Sequence, residues 1–430
     1  MGVFKYSPVD FVLTCLGLIF LLLDIALDVW AVVSLYQEKA YGSLGVLVLF
    51  LVGSSVLVQA FSWLWFSYEN FKMETTVGKD LTKRQLKVLH VLQLGIYFRH
   101  AGVVEVSVRS FFSKMRDLDE GVAVFLSHDL SMLRLIETFS ESAPQLVLML
   151  TIILQRSQLD PWTVLKAIGS ASAIACSVTM YHRSLRSFLP KKEEQLLVSS
   201  VVYFLWNLLL IMSRITALAL FASVLPCFIF THFFCSWLVL FVFVWRSKTN
   251  FMDSTRGEWL YRVTVGIIWY FDWFSVVDGR TRYRTLLYHG YILVDISLLC
   301  GLWCWKMITE PTYYEILPLY AIITAVSVVV VYIFGLFLKM VYYKCCHPNI
   351  GIEELKEEDA EAETETSPTE SLTAVKSCED EVDFGRPAMV EDGSTETGSG
   401  MQNRIGASPP AATTKRCNKR MKQLAQNFYS

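Results

Sequence analysis

Apolar residues come in runs of about 20 along this chain, divided by short polar stretches. A run of about 20 mostly apolar residues can cross a bilayer as one helix. Spans are predicted at 9–36, 43–66, 130–155, 162–181, 198–221, 228–245, 288–307 and 314–342. Two further apolar runs, 88–108 and 261–277, carry basic residues on both sides. Lys79, Lys83, Arg84 and Lys87 precede the first, and Arg109, Lys114 and Arg116 follow it. Arg246, Lys248, Arg256 and Arg262 lie before or at the start of the second, and Arg280, Arg282 and Arg284 follow it. Basic loops favour the cytosolic side, so a full crossing would strand one basic flank outside. A re-entrant segment that enters and leaves on the cytosolic side removes the conflict. Such backbone is tolerated where protein or water surrounds it.

The predicted fold class is an all-α polytopic membrane protein. It has about eight transmembrane helices plus two re-entrant segments, arranged as two pseudo-repeats, with both termini cytosolic. Residues 1–182 form the first repeat and 183–348 the second, each with two spans, a re-entrant segment and two spans. Repeats of this kind recur in membrane proteins that move substrates. Hydropathy and loop charge carry the repeat; residue identity between the halves does not.

Composition agrees with that reading. The chain is 53% hydrophobic, with a mean hydropathy of +0.42, too apolar for a soluble protein of 430 residues. Net charge is only −2, so the overall balance points to no nucleic-acid partner. The 10 cysteines show no paired metal-ligand spacing, and most of them read as small core residues in a reducing compartment. Cys345-Cys346, at the end of the last span, reads either as a palmitoylation site or as juxtamembrane packing. No N-x-S/T sequon occurs. The first apolar run carries Asp24 and Asp28 and lacks a convincing cleavage site, so it reads as a retained span rather than a signal peptide.

Residues 349–430 change character. From Ile352 to Pro410 the chain is rich in Glu, Ser, Thr, Gly and Pro, which predicts a disordered cytosolic tail. Within it, Asp380-Glu381-Val382-Asp383 followed by Phe384 matches the recognition sequence of executioner caspases, with cleavage after Asp383. A protease can thread such a segment as an extended strand. Acidic tails also produce this string by chance. The last stretch is basic, with Lys415, Arg416, Lys419 and Arg420, and places Met421, Leu424, Ala425 and Phe428 at helical spacing. A basic amphipathic end can bind a membrane surface or dock against an acidic cytosolic one. The alternative is an unstructured basic terminus.

Charges inside the spans are the candidate chemistry. Each costs at least about 2.5–3.5 kcal/mol at the bilayer centre. Asp10, Asp24 and Asp28 lie in the first span, and the last two share a helix face. Arg134, Glu137 and Glu141 form a stripe at spacings of three, four and seven. Arg214 interrupts the fifth span and Asp295 the seventh, while Arg99, Glu105 and Asp272 lie in the two re-entrant segments. One reading is structural pairing, such as Arg134 with Glu137, or Asp24 or Asp28 with an arginine. The other is a polar track for a hydrophilic group. A cation channel favours acidic rings and an anion pore basic ones. A track of both signs suits a phospholipid headgroup whose acyl tails stay in the bilayer.

No enzyme constellation is present. The sequence has no P-loop, G-x-G-x-x-G or H-E-x-x-H, and no cofactor or metal is expected. His128-Asp129 lacks an accompanying nucleophile, and Asp129 reads as a helix cap.

The run from Asp129 through Arg134, Glu137 and Glu141 to Ala143-Pro144-Gln145-Leu146 closely resembles the central motif of the XK-related family. Phe61-Ser62-Trp63-Leu64-Trp65, Tyr203–Leu208, Glu258–Val265, Gly279–Arg282 and Val341–Tyr343 near His347-Pro348 resemble other segments of that family. The terminal run Met421–Phe428 resembles the tail of a caspase-activated member. The resemblance implies a calcium-independent, ATP-independent phospholipid scramblase of the plasma membrane rather than an enzyme. It implies activation by caspase removal of the tail, and exposure of phosphatidylserine as an engulfment signal. It further implies a single-span immunoglobulin-type chaperone, basigin or neuroplastin, for passage to the surface. The family's presumed lipid path matches Asp10, Asp24, Asp28, Arg99, Glu137, Glu141, Arg214 and Asp295, with Arg134 in a structural or pairing role. Where relatives place an Asp before Tyr181, this chain has Met180. The competing expectations are a membrane scaffold, or a solute transporter or channel with an incidental cleavage site.

Overall fold

A helix satisfies its own backbone hydrogen bonds, which hydrocarbon requires of any single spanning segment, and the described residues are almost all helical. The structure is a computed structural model that describes residues 8–68, 75, 78, 81–112, 117–156, 161–187, 197–247, 249, 251–274, 282–310 and 318–346. In chain order the helices are α1 (Pro8–Gln37), α2 (Tyr41–Tyr68), α3 (Lys83–Val91), α4 (Gly95–Phe112), α5 (Asp117–Glu137) and α6 (Ala143–Arg156). They continue with α7 (Pro161–Ser187), α8 (Leu197–Val224), α9 (Phe228–Arg246), α10 (Thr255–Phe271), α11 (Arg282–Thr309) and α12 (Pro318–Val341). Single π turns occupy Thr138–Ser142 between α5 and α6, and Tyr342–Cys346 after α12. No strand occurs among the described residues.

Among those residues, 7 helices are long and apolar enough to cross a membrane, by length and composition. They are α1, α2, α7, α8, α9, α11 and α12. The remaining expected span, 130–155, lies on α5 and α6. There Arg134, Glu137 and Glu141 interrupt the apolar run, and α6 alone has only 14 residues. The stretch is nevertheless continuous in backbone, because Glu137 and Ala143 on either side of the π turn both keep right-handed helical dihedrals.

The first basic-flanked run is divided. Thr82 opens α3 with a capping box, its side chain accepting from the Gln85 amide while Gln85 reaches back to the Thr82 amide. The helix ends where Gln93 takes φ 64°. The Leu94 amide closes onto the Leu89 carbonyl at 2.8 Å, and α4 starts at Gly95. The second run is α10, capped by Ser254 and ended by Asp272, whose backbone is extended. At about 1.5 Å per residue its 17 residues reach about 25 Å, short of a full hydrocarbon crossing.

Helix α8 is the axis of the fold. It packs against α6, α7, α11 and α12 and is buried along most of its length. The core draws on both expected repeats. Phe61, Trp65, Leu133 and Phe139 come from the first, and Ile211, Val265, Trp269, Ile296 and Tyr332 from the second. Outward faces carry Leu22, Val29, Leu49, Val52, Phe234, Leu238, Leu298, Ile323, Val330 and Phe337, all exposed. Apolar exposure on that scale would be a liability in water and is what a lipid-facing surface needs. At one end of the bundle Arg156 pairs with Glu38, holding that carboxyl below the usual carboxylate range. Both partners are exposed, so the pair contributes little to stability.

Gly95 allows the closest approach in the first half. A Cβ there would lie 2.5 Å from the His90 ring and 2.6 Å from the Gln59 amide oxygen. Gly95→Ala therefore overpacks this junction, and we expect a loss of about 1–3 kcal/mol, read as a lower melting midpoint of the purified protein. Gly45→Ala is the control, because nothing lies within 4 Å of its added methyl. Equal midpoints for the two variants would refute the packing argument.

Candidate functional site

Among the described residues, buried polar side chains cluster between the helices, and four of these clusters bear on the expected track. The first is built on Arg99 of α4, 5% exposed. Its Nη1 reaches Asp129 of α5 at 3.2 Å, Nε donates to Ser62 Oγ at 2.9 Å, and Nη2 donates to the Ser62 carbonyl at 3.1 Å. Its flat face lies 3.8 Å from the centre of the Phe66 ring. Since Ser62 Oγ accepts from Arg99, its hydroxyl proton is free to donate to His90 Nε2 at 2.9 Å. That leaves His90 Nδ1 to carry the proton given to the Leu86 carbonyl at 2.8 Å. Asp129 is thus no helix cap. It sits well inside α5, which begins at Asp117, and its carboxylate answers a guanidinium 30 residues away in sequence.

The second group surrounds the π turn. Asp24 and Asp28 project from α1 on one face, and their carboxylate oxygens lie within 4.8 Å of each other and of Glu141. Gln145 Nε2 donates to Asp28 Oδ1 at 2.8 Å. Ser140 bonds to Ser54 of α2 at 2.8 Å. Arg134 does not close onto Glu137, as the stripe suggested; its Nη1 donates to the Gly17 carbonyl of α1. Its charge still acts on both Asp24 and Glu137. The cause of the π turn is local. Pro144 has no amide proton, and its ring would strike the Ser140 carbonyl in a regular helix. The widened turn lets the Ala143 amide reach back to the Thr138 carbonyl, five residues earlier. One residue is thereby added between Glu137 and Glu141 without a normal advance of the helix face, and Glu141 meets the two acids of α1. This trio could in principle approach a cation. Hard cations want six or more oxygen ligands, and Asp28 already accepts an amide proton.

The third group belongs to the second half. Arg214 of α8 is fully buried and its Nη1 meets Asp295 Oδ2 of α11 at 2.5 Å. Nε donates to the Tyr270 carbonyl of α10 at 3.1 Å. His232 of α9 holds the other Asp295 oxygen at 3.1 Å through Nε2, and its Nδ1 meets the Tyr270 hydroxyl at 2.9 Å. A carboxylate can only accept, so His232 donates through Nε2 and accepts from Tyr270. Arg214 Nη2 has no hydrogen-bond partner among the described residues.

The fourth group was not read from the sequence. Lys339 of α12 donates to His289 Nε2 at 2.8 Å, and His289 Nδ1 meets Tyr332 Oη at 2.9 Å. The Lys339 ammonium lies 4.7 Å from the Trp206 ring centre. Asp272 is also buried, and its charge acts on Lys339.

Of the expected track, Asp24, Asp28 and Glu141 come together, with Glu137 and Arg134 beside them, and Arg214 meets Asp295. Arg99 instead pairs with Asp129. Asp10 lies in α1, its side chain outside the described set. Glu105, partly buried, pairs with the exposed Arg109 one helix turn on. Asp380, Glu381, Val382, Asp383 and Phe384, and the terminal Lys415, Arg416, Lys419, Arg420, Leu424 and Phe428, fall outside the described residues.

Seven membrane-length helices around buried charges of both signs define an all-helical multi-pass membrane protein. A family model described as XK-related protein matches residues 12–348. Three relatives carry the name XK-related protein 8. One, from Tetraodon nigroviridis, is 45% identical over 357 residues, covering 81% of this chain and 86% of that protein. Another, from Gasterosteus aculeatus, is 42% identical over 354 residues, covering 80% and 86%. A third, from Pan troglodytes, is 38% identical over 342 residues, covering 79% and 84%. This chain belongs to the XK-related family.

Replacing Arg99 by Leu removes the guanidinium that Asp129 and Ser62 share in the core and should cost about 3–5 kcal/mol. Adding Asp129→Leu should cost less than the sum of the two single replacements if the pair is coupled. Melting midpoints of the purified variants test this; a single variant as stable as the parent would rule out the pair.

Proposed function

We propose that this chain is a phospholipid scramblase of the plasma membrane, switched on when an executioner caspase cuts after Asp383. The observation that carries the reading is a helical membrane body with both signs of charge buried between its helices. Carboxylates of Asp24, Asp28 and Glu141 stand on one side, and guanidinium groups of Arg134 and Arg214 also face inward. A phospholipid headgroup carries an anionic phosphate and, commonly, a cationic amine. It can therefore exchange partners along such a surface while its tails remain in lipid. Arg214 Nη2, unpartnered among the described residues, offers a phosphate one charge-assisted hydrogen bond. No nucleotide-binding motif accompanies the fold, and downhill lipid exchange needs none.

Cleavage after Asp383 releases Phe384–Ser430, with Lys415, Arg416, Lys419, Arg420, Leu424 and Phe428. While attached, this segment docks on the cytosolic face at high effective concentration and favours the closed state; once cut, it dilutes away. Phosphatidylserine then reaches the outer leaflet and marks the cell for engulfment. Both termini are cytosolic, and a single-span immunoglobulin-type chaperone, basigin or neuroplastin, accompanies the protein to the surface.

The test uses vesicles holding the purified protein with its chaperone and a fluorescent phospholipid, with chemical quenching of the outer leaflet. Quenching beyond the outer-leaflet fraction is expected only after executioner caspase treatment. Asp383→Ala should abolish the caspase response. Unchanged quenching after confirmed cleavage would reject the proposal in favour of a scaffold, and solute flux without lipid exchange would favour a transporter.

A second expectation concerns the π turn. Pro144→Ala removes the reason for the bulge, so Glu141 rotates away from Asp24 and Asp28. Scrambling by the cleaved protein should fall about tenfold, with the protein still monodisperse. Full activity in this variant would show that the acidic trio does not serve the lipid.

A further inference from the structure

A cavity of about 90 Å³ lies between α1, α4, α5 and α7, several times the room one water molecule needs. The trio's carboxylates do not line it, and among the described residues its lining contains no acidic residue. His100, Ser127, Arg134 and Arg183 face it, with the hydroxyls of Thr14 and Ser184. His100 is 6% exposed, and among the described residues its Nε2 has no hydrogen-bond partner; nor has the buried Ser127 Oγ. Leaving a buried polar atom unmatched costs about 1–3 kcal/mol, so two such atoms in one cavity point to a missing guest. Two arginines in the same lining, Arg134 and Arg183, set its sign. Arg134 also donates a hydrogen bond to the Gly17 carbonyl and Arg183 one to Ser200 Oγ at 2.9 Å, which holds both side chains in place.

We propose that this cavity binds a phosphate-type oxyanion, with His100 Nε2 and Ser127 Oγ as hydrogen-bond partners and Arg134 and Arg183 supplying the charge. Arginine, hydroxyl and imidazole donors converging on one small space are the usual means of holding a tetrahedral anion. Two sources share this chemistry: the phosphodiester of a lipid headgroup and free inorganic phosphate. Only the lipid source rests on the scrambling reading. Met180 closes one wall, its terminal methyl 3.2 Å from where a Gly17 Cβ would lie. A carboxylate at that position would face the anion directly.

The experiment follows melting midpoints of the full-length protein with its chaperone in detergent. It is titrated at constant ionic strength with sodium phosphate or with dihexanoyl-phosphatidylserine, against sodium chloride. A saturable rise with the lipid alone identifies a headgroup site, and a rise with inorganic phosphate identifies a free-anion site; either supports the proposal. His100→Leu should weaken the binding about tenfold, the loss of one charge-assisted hydrogen bond. Ser127→Ala should weaken it a few-fold, and Met180→Glu should abolish it. If His100→Leu fails to fold, the other two variants carry the test. No saturable rise with either ligand overturns the proposal, as does a rise that the folded variants leave unchanged. Binding is read here without any lipid-exchange assay. Parent protein that binds phosphate but does not scramble retains this site and rejects the scrambling reading, and the reverse outcome does the opposite.

Discussion

A charge within hydrocarbon must be met by a neighbouring helix, and that requirement fixes how these helices sit against one another. Two arginines carry most of it. Arg99 uses its three nitrogens on Ser62 and Asp129 and its face on Phe66, so α2, α4 and α5 are held by one side chain. Arg214 joins α8 to the Tyr270 carbonyl of α10 and to Asp295 of α11, while His232 of α9 takes the other oxygen of that carboxylate. A lysine could not do either task, because its ammonium offers one point of charge rather than a planar fork of donors. Packing alone discriminates poorly between helix registers when lipid is as apolar as the core. Directional partners of this kind supply the discrimination.

Such anchoring leaves the π turn in an unusual position. It lies between α5, whose Asp129 is tied to Arg99, and α6, whose Gln145 is tied to Asp28. Its inner face stacks Phe139 on Phe271 of α10, with ring centres 6.2 Å apart. The carboxylates gathered here therefore stand on a segment fixed at both ends and touching both halves of the bundle.

The helical architecture was legible because hydrocarbon permits so little else: long apolar runs with short polar breaks leave few alternatives. Asp24 and Asp28 were legible as a pair because four residues make one helix turn. Partners drawn from distant helices left no such trace. Nothing within reach of Asp129 in sequence signals Arg99, which is why a cap looked sufficient. His232, His289 and Lys339 are isolated polar residues in apolar runs, and only the packing of α9, α11 and α12 reveals what each one bonds. The stripe of Arg134, Glu137 and Glu141 assumed an unbroken α period. Pro144, three residues beyond Glu141, was the available sign that the period would fail.

That failure of period has a consequence for how the protein tolerates changes in chain length. An α-helix turns by about 100° per residue, so losing one residue within α2 or α8 would swing every later side chain onto a different face. Thr138–Ser142 differs from both, since it holds one residue in excess of the regular winding. A deletion there withdraws slack rather than shifting phase, so α6 keeps the face it presents.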